Sequence, residues 1–378
     1  KRMDFNTPFV TGKEREYIEQ VFQNMSFAGN GLFTKRVNEW LEDYFQAHRV
    51  LLTHSCTGAL EMSAMLCDLG PGDEFITPSF TFVTTASSMM RGGATPVFCE
   101  IEPNTLLMDI DDVREKITDK TKAIVPVHYA GSAPDMEELR KLSMENSIAL
   151  IEDSAQGMGA KWNGKKLGTF GRLGCVSFHE TKNIHCGLGG CLIVNDPDLV
   201  ERAEIIWERG TDRSAFFRGL VDKYTWREVG SSFYPTEFQA AFLLAQLESL
   251  ERNMTKRREI WGYYHELLSP IEEEGGFRIL RPSIGSEQNF HMFSIILNSA
   301  EEADSVRIGL GDSGINAVIH YVPLHESTVG SKFFQGPGLK ITSDLSRRLI
   351  RLPFHNSLTK KEIEKIPEIL RRILNLPR

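Results

Sequence analysis

From about residue 49 to residue 196, short apolar runs alternate with amphipathic stretches. The runs are Val50–Thr53, Glu74–Thr77, Pro96–Ile101, Ala123–Val127, Ala149–Glu152, Cys175–Phe178 and Leu192–Val194. Between them, Met62, Met65, Leu66 and Leu69 recur at helical spacing, and Met136, Leu139 and Leu142 share one helical face. Asp109, Asp111 and Asp112 ahead of Val113 and Ile117 read as the acidic first turn of a helix. Continuous apolar strands alternating with helices predict an α/β fold with a mostly parallel sheet covered on both faces. In such sheets the ligand lies beyond the carboxyl ends of the strands.

A long helical pattern then runs from about Thr236 to Leu268, through Ala240, Leu243, Leu244, Leu247, Leu250 and Ile260. Its length suggests an interrupted helix joining two domains. Beyond it the pattern predicts a strand at Met292–Leu297, a helix around Ala303–Leu310, a strand at Ala317–Tyr321 and a closing helix from Lys360 to Leu374. The expected division is a large domain over 1–250 and a smaller C-terminal α/β domain over 251–378.

Composition narrows the class. Of 378 residues, 41% are hydrophobic and 25% charged, which places the chain among globular proteins and argues against disorder. No run approaches the ~18 apolar residues of a membrane helix, and Lys1 to Phe9 lacks the apolar core of a signal peptide. Six cysteines make no disulfide scaffold, so a reducing, cytoplasmic setting is expected. The net charge of −8 argues against a nucleic-acid partner. It also means that an anionic substrate must be met by local positive groups.

Three apparent motifs fail on their chemistry. Gly159-Ala-Lys-Trp-Asn-Gly164-Lys165-Lys166 lacks the hydroxyl that a nucleotide phosphate loop needs at its last position, and no helix former follows it. Gly157-Met-Gly159 and Gly187-Leu-Gly189 have no third glycine in register. Cys175, His179, His185, Cys186 and Cys191 are dense, but they do not pair at zinc-ligand spacing, so no metal is expected.

Three other segments each end a predicted strand. His54-Ser-Cys-Thr57-Gly58-Ala59 is a strand-to-helix turn whose free N–H groups and Thr57 hydroxyl suit an anion, although alone it also fits a plain helix cap. Ile151-Glu152-Asp153-Ser154-Ala155-Gln156 sets a carboxylate and an amide three residues apart. Cys175-Val-Ser177-Phe-His179-Glu-Thr-Lys182-Asn183 carries a lysine in a turn after an apolar strand. A partly buried lysine has a lowered pKa and frees its amine for a carbonyl. Together the segments offer a phosphate nest, a carboxylate for a pyridinium nitrogen and an amine for an aldehyde. Those are the requirements of a pyridoxal 5′-phosphate site.

The chain resembles the DegT/DnrJ/EryC1/StrS family of sugar aminotransferases over nearly its whole length. The resemblance rests on Asn6-Thr-Pro-Phe9, Pro71-Gly-Asp-Glu-Phe-Ile-Thr-Pro-Ser-Phe-Thr-Phe82, Glu152-Asp-Ser-Ala-Gln156-Gly, Ser177-Phe-His-Glu-Thr-Lys182-Asn and Gln239-Ala-Ala241. It implies a fold-type I pyridoxal-phosphate transferase and a homodimer with active sites at the subunit interface. It assigns Lys182 to the cofactor aldehyde and to proton shuttling, Asp153 to the pyridine nitrogen, Gln156 to the phenolic oxygen and Phe82 to the ring face. Thr57, Gly58 and Ser177 would hold the phosphate. Many members add an Asn from the partner subunit in a G-x-N-x-R segment; here that segment reads Gly230-Ser-Ser232-Phe-Tyr234, so Ser232 fills the slot. Leu188 stands where many members carry Glu.

Within the family, His179-Glu-Thr-Lys-Asn and Phe216-Phe-Arg-Gly…Lys223-Tyr-Thr-Trp226 resemble the enterobacterial-common-antigen branch, which makes dTDP-4-amino-4,6-dideoxygalactose. The expected substrates are therefore a nucleotide sugar, dTDP-4-keto-6-deoxyglucose, and glutamate as amino donor. The stretch Arg209–Arg227 holds five basic and two acidic residues among aromatics, and Arg213 and Arg218 are candidates for the diphosphate. His320 and Tyr321, in His320-Tyr-Val-Pro-Leu-His325, resemble the family's segment near the active site. Amination of a 3-keto sugar or of a GDP- or UDP-linked 4-keto sugar stays open.

Overall fold

The computed structural model describes residues 2–377. Seven strands form the central sheet: β1 (Arg49–Thr53), β2 (Glu74–Pro78), β3 (Thr95–Cys99), β4 (Thr121–Ile124), β5 (Ala149–Asp153), β6 (Leu173–Ser177) and β7 (Gly190–Val194). Their order across the sheet is β1-β7-β6-β5-β4-β2-β3. All neighbours are parallel except β7, which runs antiparallel to β1 and β6.

The alternation of side chains explains why these strands are apolar throughout. Leu51 and Leu192 face one core, packed on Ala59, Leu60 and Met89, while Val50, Leu52 and Ile193 face another, packed on Phe33, Val37, Leu41 and Leu244. Successive residues of one strand point to opposite faces, so burial of both faces demands a continuous apolar run.

The C-terminal part carries its own antiparallel sheet, β8 (Phe277–Ile279), β9 (Ser294–Leu297) and β10 (Leu349–Arg351), in the order β8-β9-β10. Helices Ala300–Asp312 and Ile366–Ile373 contribute Ala303, Val306, Leu310, Ile366 and Leu370 to its core. Among the described residues no helix is long and apolar enough to cross a membrane.

Two features differ from the pattern reading, and a third is now located. The interruption of the long helical stretch falls at Ser249, between helices Glu237–Glu248 and Leu250–Glu273. The first opens with a capping box between Thr236 and Gln239. The closing helix is also broken, into Lys360–Ile363 and Ile366–Ile373, with a proline in the first turn of the second piece. Finally, Ala317–Tyr321 is not a strand; Val318 makes only an isolated bridge to Arg351. His320 and Tyr321 both line one cavity, and consecutive residues of a strand could not.

Candidate active site

The sheet register assembles the site. Gly190 opens β7 and pairs on one side with Thr53, on the other with Ser177. Asp153 closes β5 and pairs with Cys175. The carboxyl ends of β1, β5 and β6 therefore lie in one row. Just beyond Thr53 starts helix α1 (Cys56–Leu66), with Ser55 as its N-cap. A methyl group on Gly190 would sit 2.4 Å from the Cys56 amide nitrogen, so only glycine lets β7 approach this helix start.

A cavity of about 450 Å³ opens at this row. Thr57, Phe82, Asp153, Gln156, Ser177, Lys182, His320 and Tyr321 all line it. Gly58, Ser232, Arg213 and Arg218 do not. The Gly58 N–H donates to Ser55 Oγ at 3.0 Å, which caps the helix. Ser232 lies in a bridge with Glu208.

The arginines of the basic segment are engaged within the chain. Arg213 pairs with Glu208 at 3.4 Å, Arg218 with Glu204 at 2.7 Å and Arg227 with Asp212 at 3.2 Å. Two of these carboxylates precede residue 209, so the local excess of positive charge is smaller than the segment's own count. Arg213 also lies over the Phe217 ring at 4.5 Å.

Lys182 sits in a turn held by its own N–H, which donates to the His179 carbonyl at 2.8 Å. Asn183, the next residue, donates to the Asn289 carbonyl at 2.7 Å and accepts from Asn253 through its own carbonyl at 2.9 Å. Burial, then the neighbouring Arg351, pulls the lysine amine down from 10.5 to about 8. Cys56 and Asp153 oppose the shift.

The nucleophile is the neutral amine, so capture of the cofactor aldehyde by apoprotein is expected to accelerate with pH and to level off above about 8. Stopped-flow absorbance at a series of pH values checks this. The folded state binds fewer protons than the unfolded chain between about 8 and 10.5, so this group makes apoprotein stability rise with pH across that window.

Asp153 is buried. Its Oδ2 accepts from Thr85 Oγ1 at 2.7 Å and its Oδ1 from the Ala155 N–H at 3.1 Å. Burial nevertheless raises its pKa, against these bonds and against Lys182 and His128. The carboxylate thus lacks a full cationic partner. Gln156 Oε1 accepts from the Ala130 N–H at 2.7 Å, which leaves Nε2 to donate, and it reaches Tyr321 Oη at 3.3 Å. Phe82 is 58% exposed at the cavity rim, so it is no core phenylalanine.

The structure adds residues that the pattern did not mark. Arg351 and His291 line the cavity. Arg351 Nη1 donates to His320 Nε2 at 2.7 Å, and since arginine only donates, His320 is the Nδ1–H tautomer. That proton goes to Tyr129 Oη at 2.9 Å. Burial, then Arg351 and Lys182, lower the His320 pKa to about 2, so the ring is neutral. No spacing rule links residue 351 to residue 182; only the β9–β10 pairing brings the arginine in. Cys175, Cys186 and Cys191 are buried, His185 donates to the Phe9 carbonyl at 2.6 Å, and no group of described residues is placed to hold a metal.

The residues fit pyridoxal phosphate. Few chemistries need both a lysine with a lowered pKa and a buried carboxylate short of positive charge in one cavity. Pyridoxal-phosphate catalysis needs both, and the sheet is that of its fold-type I aminotransferases. The comparisons agree. The chain belongs to the DegT/DnrJ/EryC1/StrS aminotransferase family, whose family model matches residues 9–371. It is 30% identical over 365 residues to a GDP-perosamine synthase of Escherichia coli O157:H7, covering 96% of this chain and 95% of that protein. It is 29% identical over 374 residues to a dTDP-4-dehydro-2,3,6-trideoxy-D-glucose 4-aminotransferase of Saccharopolyspora spinosa, covering 97% and 95%. Among solved structures, the aminotransferase TlmJ from Streptoalloteichus hindustanus superposes with a TM-score of 0.91 at 28% identity, over 99% of both chains. The protein is a nucleotide-sugar aminotransferase.

Proposed function

We propose that the protein transfers the amino group of L-glutamate to C4 of dTDP-4-keto-6-deoxy-D-glucose, giving dTDP-4-amino-4,6-dideoxygalactose. The observation that carries this choice is the run Phe216–Trp226, whose sequence resembles the enterobacterial-common-antigen branch. When bound, pyridoxal phosphate supplies an electron-accepting ring and the aldehyde that ferries the amino group. The remaining work falls to the chain. The Lys182 amine would take the proton from Cα of the donor and deliver one to C4′ of the cofactor; with the sugar bound it would run the shift in reverse, from C4′ to C4 of the sugar. Asp153 balances positive charge at the ring nitrogen, and Gln156, fixed by Ala130, presents its amide to the ring oxygen. Phe82 covers one ring face. Thr57, Ser177 and the first amides of α1 hold the phosphate, with the helix start favouring negative charge.

We also infer a homodimer. Phe217, Leu220, Trp226 and Val229 are 65%, 69%, 76% and 70% exposed within one segment, an apolar patch that favours a second copy. Ser232 and the arginine-bearing segment would then serve the neighbouring cavity, with Arg213 and Arg218 near the diphosphate and His320 and Tyr321 near the sugar.

The test is product analysis by NMR after incubation with glutamate and four nucleotide sugars side by side. The 4-amino-4,6-dideoxygalactose product, formed fastest from the dTDP-4-keto substrate, supports the reading. Faster turnover of a GDP- or UDP-linked 4-keto sugar, or of a 3-keto sugar, overturns the substrate and keeps the class. The GDP arm has a specific motive, since one relative is a GDP-perosamine synthase.

A further inference from the structure

Arg351 closes β10, with Val318 bridged to it on one side and Ser294 paired on the other. Its backbone N–H donates to the Val318 carbonyl at 2.8 Å, which fixes the root of the side chain. The guanidinium lines the Lys182 cavity and lies over the Phe5 ring at 4.7 Å. Nη1 donates to His320 Nε2, whereas Nε is buried and has no hydrogen-bond partner. Burial lowers the pKa, and the groups that oppose the shift are two tyrosines, Tyr129 and Tyr321. Among the described residues no carboxylate pairs with this guanidinium. Arginines of the basic segment behave otherwise: Arg213, Arg218 and Arg227 each have an acidic partner.

A buried cation without an anion is costly, and an unpaired Nε adds to that cost. An anionic ligand entering the cavity relieves both. Guanidinium presents parallel N–H groups that match a carboxylate with two bonds. The two substrates of the reaction differ in where they carry negative charge. In the keto sugar the diphosphate is on C1, across the ring from C4. In the amino donor a carboxylate is bonded directly to the carbon that Lys182 must reach. Arg351 and Lys182 line the same cavity, so an anion that pairs with the unpartnered Nε is held in the space where the reacting carbon must sit.

We propose that Arg351 is the carboxylate site for the amino donor, holding the carboxylate on the reacting carbon, with His320 and Phe5 fixing the plane of the guanidinium. This rests on the aminotransferase reading but not on the identity of the nucleotide. The His320 ring, neutral and stacked on Tyr321 at 4.0 Å between ring centroids, adds no charge to compete for the anion. Because the sugar lacks a carboxylate, Arg351 must stand free while the sugar occupies the cavity. A partner from another substrate, rather than a fixed glutamate, meets that need.

The experiment compares the parent with Arg351→Met, as holoenzyme with glutarate and dTDP as separate probes and as apoprotein with the cofactor. Calorimetric titration is expected to show glutarate affinity falling by roughly 30-fold or more, as for a buried charge pair cut on one side. Affinities for dTDP and for pyridoxal phosphate are expected to stay within about threefold. In the donor half-reaction, L-glutamate should lose about 100-fold in kcat/KM. 4-Aminobutyrate, which has no carboxylate on its amino carbon, should be unaffected. Unchanged glutarate binding and unchanged L-glutamate kinetics overturn the proposal. So does a matching loss for dTDP, which would make this a diphosphate site, or for the cofactor, which would make it a phosphate site. If Arg351→Met fails to fold, Arg351→Lys is read the same way, since it keeps the charge and loses the fork. Intact glutarate binding with no turnover of any dTDP sugar would instead count against the substrate assigned above.

Discussion

Lys182→Ala is expected to abolish the visible absorbance of bound cofactor after dialysis and to lower the transamination rate by at least ~10⁴-fold. Both effects follow from one atom. On the proposed assignment the Nζ group would bind the cofactor aldehyde and, in each half-reaction, shift a proton between the substrate carbon and cofactor C4′. Other lysines with lowered pKa values do not compete for the role. Lys165 lies over the Phe170 ring at 4.9 Å, and Lys166 bonds to the Tyr44 carbonyl; neither lines the cavity. Lys182→Arg separates nucleophile from charge. Arginine stays protonated, so it is expected to be as inactive as alanine although the positive charge is kept. A small primary amine added to Lys182→Ala is expected to recover part of the proton transfer. Retention of the dialysis-resistant band in Lys182→Ala would assign the amine elsewhere.

How much of this was open to sequence reasoning depends on how local the signal is. The apolar runs of β1, β5 and β6 are buried on both faces, so their whole length is marked. The three site segments follow such runs at their carboxyl ends, which is why Thr57, Asp153, Gln156, Ser177 and Lys182 all reach one cavity. What escaped is long-range pairing. Arg351 is one residue in a three-residue strand, and its position follows from Ser294↔Arg351, a contact across more than fifty residues. Thr85, which donates to Asp153, sits in a helix whose sequence shows nothing unusual. The excess positive charge of Arg209–Arg227 is offset by Glu204 and Glu208, which a window starting at residue 209 omits. The length of the long helical stretch points to an interruption but does not place it at Ser249. Apolar spacing continues across it, through Leu247, Leu250 and Met254, because both helices pack on one core.

Asp153→Asn is expected to stabilise the apoprotein and to cripple the enzyme, and the two effects share a cause. In the folded chain burial raises the Asp153 pKa above its ordinary value near 3.9. The folded state therefore holds on to a proton that the unfolded chain releases first. Apoprotein stability falls as pH rises through that window, and at neutral pH the full penalty is present. Asparagine removes it. Its Oδ1 still accepts from Ala155, and the Thr85 hydroxyl can rotate to accept from Nδ2 while donating to Thr81, which lies 2.7 Å away. The melting temperature of apo Asp153→Asn at pH 7 is expected to exceed that of the parent, with a flatter pH dependence. With cofactor the sign reverses. On the proposed assignment the protonated ring nitrogen would be the cation that Asp153 lacks, and without the carboxylate that proton would be lost and the ring would withdraw electrons weakly. The rate is expected to fall by ~10²–10³-fold, the range for removal of one charge-stabilising group. A cofactor methylated at the ring nitrogen carries permanent positive charge. It should restore Asp153→Asn more than it helps the parent enzyme. A variant that is neither more stable as apoprotein nor slower as holoenzyme would remove Asp153 from the ring nitrogen.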